Sequence, residues 1–164
     1  MRFSRILSLL ALGSACSARH DSVTTGAAAA LQSFYDAYLP AFEQGRSRAF
    51  LDDTTTLISP ALRQALIADY QASAADSSEV VGLDFDPFLN SQDPCNSYRV
   101  GADSSVGAQH LVPVRAVCPS DTTLAAIGVL ERSATGWTLI DLKYPSDTST
   151  LQGVLARLAK DRTK

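Results

Sequence analysis

Asp84, Asp86, Asn90 and Asp93 place three carboxylates and an amide close together, the oxygen donors that a hard cation prefers. A calcium loop of the EF-hand kind needs Gly at its sixth place and Glu at its twelfth; counted from Asp84, those places hold Leu89 and Cys95. Pro87 favours a rigid turn instead, with Asp86 and Asp93 accepting backbone N–H groups and with Gln92 and Asp93 at a pocket mouth. Tyr35, Asp36 and Tyr38 invite proton transfer between a carboxyl and a phenol. Helical spacing puts Tyr38 on one stripe with Leu31 and Phe34, a core position whose hydroxyl needs a polar partner, and Tyr35 and Asp36 toward the edge of that stripe. Asp141 alternates with Trp137 and Leu139 and is expected to face inward, where a carboxylate must be paired or hydrogen-bonded. Arg115 or Tyr98 would satisfy it structurally; a polar pocket is the functional reading. Tyr38, Gln92, Asp93 and Asp141 are therefore the pocket candidates, and no residue is assigned a catalytic role. Ser59 has no His or Asp at a recognisable spacing and reads as a helix cap, and Trp137 as a core anchor.

The cysteines are Cys16, Cys95 and Cys118, and the histidines, His20 and His110, stand apart from each other. No CxxC accompanies them, so neither a metal site nor a cofactor is expected. With Cys16 otherwise engaged, Cys95 and Cys118 would pair in an oxidising compartment, closing a loop worth roughly 3 kcal/mol.

Cys16 is engaged by its context. Arg2 and Arg5 precede an apolar run, residues 6–12, followed by Gly13, Ser14, Ala15 and Cys16. Basic, apolar and small residues in that order describe a secretory signal, and the run is shorter than the roughly 20 residues that span a bilayer. Residues 12–16 resemble the bacterial lipobox, in which small residues fit the peptidase and the thiol takes diacylglycerol; Gly13 stands where Leu or Val is common. Residues 1–15 are expected as signal peptide, 16–24 as tether and 25–162 as one domain. Cleavage after Ala15 or Ala18, releasing a soluble periplasmic protein, is the alternative. Ser17, rather than Asp, resembles the outer-membrane sorting pattern of Gram-negative lipoproteins.

Stepping from Ala27 through Leu31, Phe34, Tyr38 and Ala41 to Phe42, apolar residues recur every three or four positions and predict a helix that Gly45 stops, with Pro40 as a kink or early end near Leu39. A short helix is expected over residues 46–52, and a longer one from Ser59 and Pro60 to about Ala75. After a turn at residues 76–79 the period changes to two. Strands are expected at 97–100, 111–118, 124–132 and 137–142, with 101–107 and 133–136 as turns, and Pro113 argues for an edge or a bulge. Thr148 or Ser149 would cap a last helix carrying Leu151, Val154, Leu155 and Leu158. Helices, an antiparallel meander and a final helix make an α+β domain, one helix layer over a curved sheet.

The chain has 164 residues with a formal net charge of −3, and removal of Arg2 and Arg5 makes it two units more negative. That balance lacks the attraction for phosphate that nucleic-acid binding requires. Residues 34–39, 86–93 and 136–141 (Phe-Tyr-Asp-Ala-Tyr-Leu, Asp-Pro-Phe-Leu-Asn-Ser-Gln-Asp and Gly-Trp-Thr-Leu-Ile-Asp) together resemble the family called domain of unknown function 3828, over residues 27–158. The resemblance implies bacterial envelope proteins, often lipoproteins, similar in fold to nuclear transport factor 2, with a conical pocket between helices and sheet. It implies no activity. The expectation is a lipid-anchored module facing the periplasm, meeting the membrane through Cys16 and binding an envelope protein or a small ligand. A pocket enzyme or carrier using Asp141 and Tyr38, and a periplasmic inhibitor of immunity type, are the alternatives. A deep pocket with an ionisable residue at its floor would favour the enzyme or carrier; a filled cone with a flat exposed apolar patch would favour the module or the inhibitor.

Overall fold

The computed structural model describes residues 26–75, 82–145 and 148–163. The signal segment, Cys16, the tether, His20 and the turn expected at residues 76–79 lie outside them. Helix α1 (Ala27–Glu43) buries the expected stripe, and Tyr35 joins it. It runs through Pro40 and closes where Gly45 takes a φ of 67° and Arg46 N–H bonds back to Ala41 O at 2.7 Å. Helix α2 (Ala49–Asp52) is one turn, and α3 (Pro60–Ala75) starts as its sequence requires, with Ser59 Oγ accepting from Leu62 N at 3.2 Å.

The strands are β1 (Ser97–Val100), β2 (Ser104–Val106), β3 (Gln109–Val117), β4 (Thr122–Ser133) and β5 (Gly136–Lys143), and α4 (Leu151–Asp161) follows. They form one curled antiparallel sheet in the order β1-β3-β4-β5, with β2 pairing the other half of the β3 edge. Two expectations change here. The turn at residues 101–107 contains β2, and Pro113 stands in a central strand. A strand residue points its N–H and C=O to one side; Pro113 O accepts from Gly101 N at 2.8 Å, so its missing donor falls in the gap between β1 and β2. The cap of α4 is Thr150, whose Oγ1 accepts from Gly153 N, rather than Thr148 or Ser149.

Both outer edges of the sheet are covered. The Gln32 side chain accepts from Val100 N at 2.8 Å and donates to Tyr98 O at 3.1 Å, taking the place of a neighbouring strand along β1. On the other side Leu139 N donates to Leu57 O and Ser59 N to Leu139 O, so residues 57–59 cover β5. Helix α1 lies across β1, β3, β4 and β5. It approaches closest at Gly128, where an added Cβ would stand 2.7 Å from Leu31 Cδ2. The space between α1 and the sheet is packed with rings: Phe34 and Tyr38 stack at 5.3 Å, Tyr35 and Tyr98 at 5.6 Å, and Phe88 meets Phe34 and Tyr38 edge-on. Among the described residues, no helix is long and apolar enough to cross a membrane.

Candidate functional site

The run Asp86, Pro87, Phe88, Leu89 is a buried turn pressed against the aromatic cluster, and each of its four residues receives one tyrosine hydroxyl. Tyr38 donates to Asp86 Oδ2 at 2.6 Å, Tyr144 to Pro87 O at 2.9 Å, Tyr35 to Phe88 O at 2.7 Å and Tyr98 to Leu89 O at 3.1 Å. Asp86 Oδ1 meanwhile accepts from Phe88 N and Leu89 N, both at 3.0 Å. Asn90 takes a φ of 49° and donates from its amide to Ala125 O, fastening the turn to β4. Turn and tyrosines together fill the space between α1 and the sheet. Tyr38 is 1% exposed and Tyr35 2%, which corrects the placement of Tyr35 at the edge of its stripe. Burial, followed by the nearby Asp86 charge, pushes the Tyr38 phenol well above its ordinary value and keeps it a donor. Burial likewise raises the Asp86 carboxyl, against the three hydrogen bonds that lower it.

Asp141 does not share an inward face with Leu139. Val129 pairs with Asp141 but Leu130 with Leu139, so Ile140 is an extra residue, and the bulge turns Leu142 rather than Asp141 into the core. Asp141 Oδ1 accepts from Leu142 N at 2.8 Å and from Gln152 N at 3.0 Å, which makes it a second cap on α4 in place of a partner of Arg115 or Tyr98. Gln92 and Asp93 are exposed and line neither of the cavities described below. Among the described residues Asp93 contributes only its carbonyl, to Ser91 Oγ, so the Asp86 half of the expected turn stands and the Asp93 half does not. The sulfurs of Cys95 and Cys118 lie at bonding distance, with Cα atoms 4.7 Å apart, tying the segment before β1 to the end of β3. Among the described residues no three His, Cys, Asp or Glu side chains converge as metal ligands would.

Open space lies elsewhere. A cavity of about 820 Å³ sits between the segment 54–58, the first two turns of α3 and the β4–β5 turn. That size suits a drug-sized ligand, for which pockets run roughly 300–1,000 Å³. Arg63 forms part of its wall and is 8% exposed. Its guanidinium donates to the carbonyls of Phe50, Leu51, Asp53 and Ile58 and to Thr56 Oγ1, so the loop beside the cavity is wrapped around a buried cation. Trp137, expected as a core anchor, is only partly buried and stands at this wall. Its ring takes the Arg132 guanidinium 4.8 Å from the centroid and meets His110 at 4.5 Å. A second cavity of about 270 Å³ borders Asp69, whose carboxylate is already spent on Leu83 N and Arg162.

Arg63, Gln64 and the run Thr54, Thr55, Thr56 were not legible as site residues. The only signal is a lone arginine beside the buried positions Leu62 and Leu66, preceded by three hydroxyls. Comparison with family models, with curated proteins and with solved structures returns no match.

Proposed function

We propose that this chain is an exported, lipid-anchored binding module of the cell envelope, and that the cavity beside Arg63 and Trp137 is where it takes a small ligand. The carrying observation is the division of the interior: the space between α1 and the sheet, where the resemblance would put a conical pocket, is filled, while an open cavity of about 820 Å³ remains at the α3 and β4–β5 end. Tyr38 and Asp86 satisfy each other out of reach of a substrate, and Asp141 is occupied at a helix end, which leaves the enzyme reading without its two residues. The basic, apolar and small order of residues 1–16 supports the address. One helix layer over a curled sheet is compatible with a nuclear transport factor 2-like relative of domain of unknown function 3828, and the family-like Asp-Pro-Phe-Leu run has a structural reason for its residue types. A fragment library screened by ligand-observed NMR tests the binding half. Hits are expected on the domain and should be lost in Thr135→Trp, which crowds the cavity from an exposed turn; hits indifferent to that substitution would contradict the assignment.

A further inference from the structure

The cavity wall discriminates among ligand classes. Among the described residues its one charged side chain is Arg63, and both terminal nitrogens of that guanidinium already donate to loop oxygens. The fork that would grip a carboxylate or phosphate is spent. Among the described residues no Asp, Glu, Lys or His lines the cavity, so a cationic ligand meets no counter-charge from them. A wholly apolar ligand is disfavoured for a different reason: Thr54, Gln64, Ser133, Thr135 and Thr138 all border the space, and covering their polar groups without replacing water costs free energy. These side chains make no hydrogen bond among the described residues, so their capacity to donate and accept is unspent. Leu57, Ile58, Pro60, Ile67 and the Trp137 indole supply apolar surface between them. Arg132 and His110 hold the indole in place before a ligand arrives, which lowers the ordering cost of binding.

We propose that the cavity binds a neutral, hydroxyl-rich ring compound with one apolar face, in chemical class a pyranoside. This rests on the reading of the cavity as the ligand site. Sugar hydroxyls both donate and accept, as do the Thr and Ser hydroxyls and the Gln64 amide, and the C–H face of a pyranose suits an indole and aliphatic wall.

Trp137 is the sole tryptophan of the chain, so intrinsic fluorescence reports on this wall directly. The probes are N,N′-diacetylchitobiose, cellotriose and maltotriose, with decanoate and benzoate as apolar anions for comparison. At least one saccharide should give a saturable change with half-saturation at about 1 mM or tighter. Gln64→Ala and Ser133→Ala, both exposed positions, should each weaken it about three- to tenfold with the melting temperature unchanged. Saturation by decanoate or benzoate but by no saccharide would overturn the ligand class and leave the cavity reading standing. Silence from all five probes would overturn both.

Discussion

Asp86 is pulled in two directions. Desolvation raises its carboxyl, while the Tyr38 hydroxyl and the N–H groups of Leu89 and Phe88 lower it, and desolvation is the larger. A raised folded-state value means that folding favours the protonated form. The contribution to stability is therefore complete below the unfolded value of about 3.9 and is lost as pH rises through the folded one. Asp86→Asn keeps the shape and never ionises. Urea unfolding at successive pH values should show the parent losing stability relative to this variant from about pH 4 upward, then levelling off. A difference that grows in the parent's favour with pH would contradict the sign. Tyr38→Phe strips the carboxylate of its hydroxyl donor and should cost about 1–3 kcal/mol in the same assay. Tyr38 was readable from its spacing, because Leu31, Phe34 and Tyr38 lie on one helical face. Tyr35 was not, because what buries it is the turn at residues 86–89, a contact made across more than fifty positions of chain.

At the scale of elements, Asp141 is the instructive miss. Strict alternation from Trp137 points it inward, but the extra residue Ile140 reverses the faces, and nothing in the local composition marks that bulge. Its work is at the start of α4, beside Thr150. Asp141→Ala and Thr150→Ala should each cost about 0.5–2 kcal/mol. Hydrogen exchange should accelerate at Gln152 in the first variant and at Gly153 in the second. Unchanged exchange at Gln152 would mean that Asp141 is not a cap. Strand β2 was hidden for another reason: its three exposed residues between Gly101 and Gly107 have the composition of a turn, and only the free half of the β3 edge makes them a strand. Pro113 was misplaced by the same omission, since one strand split into β1 and β2 leaves room for a missing donor in the middle of a sheet.

For the molecule as a whole, the order of helices, strands and final helix carried the α+β architecture, because periods of 3.6 and 2 survive in the long, half-buried elements. The cavity was not legible: its walls come from residues 54–67 and 133–138, which meet only after β5 pairs with residues 57–59. The address and the cross-link are tested together by intact mass of non-reduced protein extracted from membranes. Residues 16–164 plus acyl chains, less two hydrogens for Cys95 and Cys118, are expected. An unacylated chain starting at Ser17 or later, or two titratable thiols, would contradict the anchor or the disulfide respectively.

Binding at the open cavity rather than chemistry in the filled space between α1 and the sheet is tested most directly by amide chemical-shift mapping of ¹⁵N-labelled domain as a hit ligand is titrated. Perturbations confined to residues 54–67 and 133–138 are the expected result. Perturbations centred on Tyr35, Tyr38 and the turn at residues 86–89, with those segments silent, would contradict it and place the site between α1 and the sheet.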